Sequence, residues 1–216
     1  MKSFLVIGLG CFGQYLATKL MELGNEVMAV DKEEDRVMRL ASMVTASHIG
    51  DCQDEAVLKS LGIKNYDACF VCVSDDFQCS LEVTSMLKEL GAQYVVARAD
   101  RDKQAKFLIH IGADEVIHTE LDMAQRVAVR FSAKGAFEYI ELTPDYAIFE
   151  ITTPVAWVGH SVSDVNVRME YNINIIGIKT EDKITPLTNP CHIFTESEHL
   201  IIAGIQKDAL RLMRLK

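Results

Sequence analysis

Short hydrophobic runs alternate with amphipathic segments along the first 133 residues of the chain. The runs are apolar and often β-branched, and they predict strands at residues 3–7, 26–30, 46–49, 67–73, 93–98 and 114–118. The segments between them predict helices at residues 12–23, 33–43, 53–61, 76–90, 101–111 and 120–133. This alternation predicts a six-stranded parallel sheet covered on both faces, which is a doubly wound, Rossmann-like α/β fold.

Glycines mark the ends of several predicted helices. Each of them follows an apolar helix end, where a left-handed C-cap is favoured: Gly24, Gly62, Gly91 and Gly112.

The pattern changes after about residue 134. Two consecutive strands are predicted at 137–142 and 146–153 around the turn signal Pro144-Asp145, and a helix is predicted at 161–171. The remaining predicted elements are strands at 173–179, 183–187 and 199–205 and a final helix at 206–214. We therefore expect a Rossmann domain at residues 1–134 and a smaller α+β domain at 135–216.

Composition and charge restrict the classes of partner. The 216 residues are 49% hydrophobic and carry a net charge of −9, and the densest basic stretch is the short segment 211–216. Such a chain is a poor candidate for nucleic-acid binding. No apolar run reaches the roughly 18 residues of a membrane helix, and the N-terminus lacks a signal-peptide core. We predict a cytoplasmic protein without direct membrane insertion.

Cys69 and Cys72 form a CxxC motif inside a predicted strand. Residues three apart on a strand point to opposite faces, so these thiols are not placed to share a metal or to form a disulfide. We predict buried, inert cysteines.

The stretch LVIGLGCFGQYLA at residues 5–17 contains the pattern GxGxxG between a predicted strand and a predicted helix. In this context Gly8 permits the tight turn, Gly10 lets the backbone approach a phosphate, and Gly13 lets helix and strand pack closely. The N–H groups at the start of the helix then face an anion.

Polar residues at the ends of other strands are expected to converge on the same crevice. Asp31 follows Gly13 by 18 residues, where a carboxylate accepts hydrogen bonds from ribose and disfavours a 2′-phosphate. Asp51 is placed to meet a nucleobase. Arg98 is placed either to bind phosphate or to form a structural salt bridge.

The sequence offers no convincing catalytic group. Tyr15 and Lys19 form YxxxK, but they lie on the helix that follows the glycine loop, away from a nicotinamide. We expect His48 and His118 in strands, and no cluster of carboxylates or histidines in the second domain. A ligand sensor is therefore favoured, and the alternative is a small NAD-dependent oxidoreductase.

Several motifs lie in the same order as in a known family. They are VIGLGxFG at 6–13, AVD at 29–31, LGI at 61–63, TSMLKELG at 84–91, IGADEVIHTELDMA at 111–124, SDVNVRMEYNINIIGIK at 163–179 and EHLIIAG at 198–204. Over nearly its whole length the chain resembles the cytoplasmic regulatory subunits of Trk/Ktr potassium-uptake systems, which combine a nucleotide-binding RCK (KTN) domain with a small C-terminal RCK domain.

The resemblance implies a potassium-transport regulator that is gated by ATP, ADP or NAD(H). Its dimers would assemble into a ring, an octamer, against a membrane-embedded Trk/Ktr potassium-translocating subunit, at the inner face of the cell membrane. The ligand residues implied by position are Gly8, Leu9, Gly10, Cys11, Phe12 and Gly13 at the phosphates, Asp31 at the ribose, Asp51 and Cys52 at the base, Val73 and Ser74 along the crevice, Arg98 at the phosphates, and Lys32 as a further cofactor-binding residue.

The resemblance has three further implications, which concern a cation, the discrimination between ATP and ADP, and a second ligand. Glu120 matches a residue at a divalent or monovalent cation site, with a helix-start carboxylate as the alternative. Many relatives have Arg where this chain has Cys11, so the discrimination of ATP from ADP is in question. Part of a cyclic di-AMP pattern is matched by Arg168, Asn174 and Pro190, with ordinary surface packing as the alternative.

Overall fold

The chain divides into two units in the computed structural model, Met1–Leu121 and Asp122–Lys216. The structure describes residues 1–73, 75–132, 136–181 and 183–213. The predicted domain boundary between residues 134 and 135 lies outside the described residues and stays a prediction.

A six-stranded parallel sheet forms the first unit, in the order β3-β2-β1-β4-β5-β6. The strands are β1 (Ser3–Ile7), β2 (Glu26–Asp31), β3 (Ala46–Ile49), β4 (Ala68–Val71), β5 (Val95–Arg98) and β6 (Glu115–Ile117). The strand order reverses between β1 and β4, which is the topological switch point of a doubly wound fold. The predicted fold class is confirmed.

Six helices follow the strands of this sheet. They are α1 (Cys11–Glu22), α2 (Glu34–Leu40), α3 (Glu55–Ser60), α4 (Phe77–Glu89), α5 (Asp102–Ile111) and α6 (Thr119–Ser132). All six were predicted, whereas a short 3₁₀ turn at Ile63–Asn65 was not. The four glycines expected at helix ends have positive φ angles, at Gly24 (80°), Gly62 (67°), Gly91 (86°) and Gly112 (121°). None of the helices in the described part of the chain is long and apolar enough to cross a membrane.

The parallel sheet has an apolar core on each face. Leu5 and Cys69 belong to one cluster, and Val6 and Cys72 belong to the other. The two cysteines therefore point to opposite faces, as predicted. Burial raises the pKa of each thiol to about 12, so both stay protonated and unreactive at neutral pH.

A five-stranded antiparallel sheet forms the second unit, in the order β10-β9-β11-β8-β7. Its strands are β7 (Ala136–Thr143), β8 (Tyr146–Thr152), β9 (Ile173–Thr180), β10 (Lys183–Pro186) and β11 (His199–Ile205). Its further helices are α7 (Val162–Val165), α8 (Val167–Tyr171) and α9 (Gln206–Leu212), and a 3₁₀ turn lies at Val155–Trp157. Phe149, Trp157 and Leu200 lie in the core beneath one face of the sheet.

The single helix predicted at 161–171 is wrong. Asn166 adopts the left-handed conformation (φ 48°, ψ 47°) and separates α7 from α8. Ser161 and Asp164 form a capping box that starts α7, and Asn172, also left-handed, ends α8. Asparagine tolerates this conformation because its short polar side chain bonds locally, so the apolar spacing across Asn166 is misleading.

Candidate ligand-binding site

One cavity in the first unit brings together most of the predicted ligand residues. It has a volume of about 680 Å³ and lies at the carboxyl ends of the strands, where open α/β sheets bind ligands. The predicted residues that line it are Gly8, Gly10, Cys11, Phe12, Asp31, Lys32, Asp51, Cys52, Val73, Arg98 and Glu120. Leu9 and Gly13 are buried and do not line the cavity, and Ser74 lies outside the described residues.

The three glycines of the loop meet different constraints. Gly8 has a φ of +89°, and a Cβ added at Gly13 would lie 2.0 Å from the Gly8 carbonyl oxygen. By contrast, Gly10 has an extended backbone (φ −64°, ψ −174°), and nothing lies within 4 Å of an added Cβ. Gly8 and Gly13 are therefore required by the fold, whereas the space beside Gly10 opens into the cavity.

The start of α1 presents main-chain donors to this space. The Gln14 N–H donates to the Gly10 carbonyl at 3.0 Å, which closes the first turn of α1. The N–H groups of Cys11, Phe12 and Gly13 precede it, and Gly10 provides no side-chain cap. Uncapped N–H groups and the dipole at the start of a helix favour a negative charge.

Asp31 is buried beside the loop, with 6% of its surface exposed. Its Oδ2 accepts the Leu9 N–H at 2.6 Å, and its Oδ1 accepts the Glu33 N–H at 2.9 Å. Arg36 lies 3.5 Å from Oδ2. Asp31 thus bonds the glycine loop through the Leu9 N–H and also lines the cavity. Its expected role at a ribose stays a prediction.

Arg98 ends β5 and has a side chain that is only 14% exposed. Its Nη2 donates to Glu120 and lies 3.5 Å from Asp100, and its Cζ lies 6.0 Å from the centre of the Phe12 ring. The Nε is buried and has no hydrogen-bond partner among the described residues. Arg98 therefore forms a structural ion pair beside the cavity, and its buried Nε remains without a partner among the described residues.

Glu120 is the second residue of α6, and its side chain is held as an anion. The Thr119 hydroxyl donates to it and Arg98 adds a second hydrogen bond, and together they lower the pKa of Glu120 despite some desolvation. Among the residues that the structure describes, no group of three or more His, Cys, Asp or Glu side chains is placed to hold a metal ion. The cation role of Glu120 stays a prediction.

Sequence reasoning missed part of the cavity wall. The residues it did not assign are Ile7, Tyr15, Val30, Glu33, Arg36, Cys72, Asp76, Cys79 and Thr119. Most of them directly follow a strand or lie in the first turns of a helix, which is the available sequence signal. Tyr15 lines the cavity, but Lys19 does not; its Nζ lies 2.7 Å from Glu22.

A second cavity, of about 450 Å³, lies in the second unit. Arg168, Asn174 and Pro190 all line it, together with residues of α7, α8 and β9. The Arg168 Nε donates to the Asn174 Oδ1 at 2.7 Å, and the Ser163 hydroxyl donates to the Pro190 carbonyl at 2.9 Å. The structure thus brings together the three residues named from the cyclic di-AMP pattern.

The second unit contains a buried ionic cluster that the sequence analysis did not expect. Glu150, 6% exposed, accepts two hydrogen bonds from the Lys179 Nζ at 3.0 and 2.8 Å, and the His199 Nδ1 lies 2.7 Å away. Desolvation raises the pKa of Glu150, but the bonds from His199 and Lys179 outweigh it, so the pKa is lowered. The three residues lie on β8, β9 and β11, far apart in the sequence, so no local motif could predict the cluster.

A second carboxylate–histidine pair lies in this unit: Glu198 is 5% exposed, and the His192 Nε2 lies 3.1 Å from its Oε1. One expectation about histidines is wrong. His118 was predicted in a strand, but it lies in the connection between β6 and α6, because β6 ends at Ile117. His48 does lie in β3.

The fold and the cavity define a class: a doubly wound α/β unit with a glycine loop between its first strand and first helix, followed by a small antiparallel unit. Residues 4–119 match the TrkA-N domain and residues 146–216 match the TrkA-C domain. The Ktr system potassium uptake proteins C and A of Bacillus subtilis are each 36% identical over 97% of this chain and 95% of their own length. The chain belongs to this family of potassium uptake proteins, which decides against the oxidoreductase alternative.

Solved structures support the fold. The GsuK channel superposes with a TM-score of 0.73 at 18% identity, over 99% of this chain and 39% of the channel chain. The GsuK channel bound to NAD superposes with a TM-score of 0.66 at 18% identity, over 98% of this chain and 38% of that chain. This chain therefore spans well under half the length of these channel chains.

Proposed function

We propose that the protein is a nucleotide-sensing regulatory subunit that gates a potassium uptake system. The family relationship supports the transport role, and the cavity at the glycine loop supports the sensing role. The partner is a membrane-embedded Trk/Ktr potassium-translocating subunit, which would hold this chain at the cytoplasmic face of the membrane. No nucleic acid is involved, in keeping with the net charge of −9.

The open space beside Gly10 carries the proposal. A Cβ added there would have no neighbouring atom within 4 Å, and Cys11 and Phe12 at the start of α1 line the same cavity. A phosphate fits such a position because it accepts several main-chain N–H bonds and carries the charge that the helix dipole favours. The cavity volume of about 680 Å³ leaves room for a nucleoside beyond the phosphates.

The ligand class is an adenine nucleotide (ATP or ADP) or NAD(H). A structural neighbour that bears NAD is consistent with this class. Gly10 would leave room for the phosphates, the amides of Cys11, Phe12 and Gly13 would bind them, and Asp31 would lie at the ribose. The remainder of the cavity would be lined by Lys32, Asp51, Cys52 and Val73. Cys11 brings no charge to the phosphates, which leaves ADP and NAD(H) as ligands alongside ATP.

Glu120 would add a cation to this site. Its lowered pKa keeps the carboxylate charged at neutral pH, and it lines the same cavity as the glycine loop. One carboxylate does not hold a divalent or monovalent ion alone, so the ligand phosphates and a neighbouring protomer would complete the coordination.

The switch would act through assembly. A ligand shifts a two-state equilibrium only by its different affinity for the two states. A tenfold preference is about 1.4 kcal/mol per site, and eight sites in an octameric ring would supply about 11 kcal/mol. Modest discrimination at each glycine loop would therefore change the shape of the ring, and no catalytic group is required.

Calorimetric titration with ATP, ADP, NAD and NADH tests the proposal, together with the oligomeric mass before and after ligand. We expect micromolar binding of at least one nucleotide, no turnover, and a large oligomer whose mass does not depend on concentration. Absence of binding by all four nucleotides, or steady substrate-dependent oxidation of NADH, would contradict the proposal.

The second cavity favours a second ligand, cyclic di-AMP. Arg168 supplies a cation to the 450 Å³ space, and Asn174 positions the guanidinium. We expect Arg168→Ala to abolish binding of cyclic di-AMP without changing the affinity for nucleotides at the glycine loop. Glu170→Gln, on the same helix but outside this cavity, is the control. Equal binding by wild type and Arg168→Ala would remove this assignment.

A further inference from the structure

The buried carboxylate of Asp31 has an unusual set of partners for a ligand-binding residue. A carboxylate offers about four acceptor positions. In the structure Oδ2 accepts the Leu9 N–H at 2.6 Å and faces Arg36 at 3.5 Å, while Oδ1 accepts the Glu33 N–H at 2.9 Å. Most of its acceptor capacity is therefore already used by partners inside the protein.

The Leu9 contact lies at the centre of the glycine loop. Leu9 is fully buried between Gly8, whose N–H donates to the Val30 carbonyl at 2.9 Å, and Gly10, which faces the open cavity. The Leu9 amide points to the carboxylate rather than to the cavity. This charge-assisted bond fixes the Gly8–Leu9 peptide, two residues before the first of the phosphate-facing amides, that of Cys11.

We propose that Asp31 is a positioning residue for phosphate: it holds the glycine loop through the Leu9 amide, so anion binding depends on Asp31 even when the ligand has no ribose. This inference rests on the proposed function and adds to it a coupling between the ribose end and the phosphate end of the cavity. A single side chain serves both ends, so their binding energies are not independent.

Inorganic pyrophosphate, which lacks a ribose, separates this role from ribose binding. If Asp31 served only ribose, Asp31→Asn would leave the affinity for pyrophosphate unchanged or raise it. The substitution removes a negative charge that lies close to the anion-binding position. Positioning predicts the opposite. Asparagine has one acceptor and one donor group, so its NH₂ must face the N–H of either Leu9 or Glu33, and one contact is lost.

The experiment measures the affinities for pyrophosphate and ADP by calorimetry in wild type and in two variants. We expect Asp31→Asn to weaken both ligands by about tenfold or more. Glu33→Gln removes a negative charge from the same cavity wall but keeps the Leu9 contact, so its affinity for pyrophosphate is expected to be unchanged or higher. Unchanged or tighter pyrophosphate binding by Asp31→Asn would overturn the positioning role.

Hydrogen exchange provides a second readout that requires neither ligand nor variant. The Leu9 amide of the ligand-free wild type is expected to exchange slowly, at a rate close to that of the β1 amides. Exchange at the rate of an open loop would overturn the inference even if Asp31→Asn does not fold. Failure of the wild type to bind either pyrophosphate or ADP would instead count against the proposed function itself.

Discussion

The cavity of the first unit and the ionic cluster of the second unit differ in how their polar groups are satisfied. At the glycine loop, the main-chain amides at the start of α1 have no side-chain cap and lie beside an open cavity. In the second unit, Glu150 is surrounded by Lys179 and His199, which satisfy its carboxylate. Polar groups that the protein satisfies itself contribute to the fold, and groups left open are available to a ligand.

This comparison assigns different consequences to mutations in the two regions. A change at an open group is expected to alter ligand affinity and to leave unfolding nearly untouched. A change at a satisfied group, or at a glycine that the fold requires, is expected to alter stability. The variants below separate these consequences.

The largest effect is expected at Gly13, which lies within the ligand loop but is constrained by the fold. In Gly13→Ala the new Cβ would lie 2.0 Å from the Gly8 carbonyl oxygen, so the β1–α1 turn must move. We expect a loss of about 3 kcal/mol or more in the unfolding free energy of the first unit, measured in urea. Gly10→Ala is the control, with a change of about 1 kcal/mol or less. Equal stability of the two variants would remove the distinction between these glycines.

Gly10→Val is expected to show the opposite of Gly13→Ala: a large loss of ligand affinity and a small change in stability. Its branched side chain enters the space that the phosphate would occupy, and no protein atom within 4 Å of the Cβ position opposes it. We expect the affinity for ADP to fall by about 100-fold, which is about 2.7 kcal/mol, while the unfolding free energy changes by about 1 kcal/mol or less. Calorimetry and urea unfolding measure the two quantities. Retained affinity would place the phosphate elsewhere.

Glu150→Gln tests the satisfied cluster. The neutral amide cannot balance Lys179 in a buried setting, and we expect a loss of about 2 kcal/mol at pH 7. Fluorescence of Trp157, the one tryptophan of the chain and 2% exposed in the second core, reports unfolding of this unit. Glu138→Gln is the matched control, because its ion pair with Arg126 is half exposed and contributes about 1 kcal/mol or less.

The same variant predicts a change in pH dependence. The pKa of Glu150 is lowered in the folded protein, so its contribution to stability is present above the ordinary value of 4.5 and is lost as the pH falls through the lowered pKa. We expect wild-type stability to decline below about pH 4.5 more steeply than that of Glu150→Gln. Parallel declines would show that Glu150 is not the group responsible.

The two regions also differ in how far the sequence could predict them. Residues at the ends of parallel strands meet at one edge of the sheet whatever the details of packing, so Asp31, Asp51 and Arg98 could be assigned to one cavity from their positions alone. Glu150, Lys179 and His199 lie on different antiparallel strands. Their meeting depends on register, which a single sequence does not determine.

Backbone conformation and side-chain direction limited the prediction in other places. The apolar spacing at 161–171 indicated one helix, but it carries no information on the left-handed Asn166 that divides it. Asp31 was correctly expected at the end of β2, yet nothing in the sequence shows that its carboxylate turns towards the Leu9 amide. Strand and helix order follows from periodicity, whereas these contacts follow from tertiary geometry.

The smallest expected effect concerns Cys11, which opens the first turn of α1 and is exposed at the cavity. Cys11→Arg adds a cation beside the phosphate-facing amides, and ATP has one more phosphate than ADP to meet it. We expect the ratio of ATP to ADP affinity to rise by about fivefold, which is about 1 kcal/mol, and the gain to shrink in high salt. Cys11→Ser keeps the size and neutrality of the side chain and should leave the ratio unchanged. If wild type, Cys11→Arg and Cys11→Ser all have the same ratio of ATP to ADP affinity, the terminal phosphate of ATP lies beyond the reach of residue 11. The open space at the start of α1 would then hold only the two phosphates nearest the nucleoside.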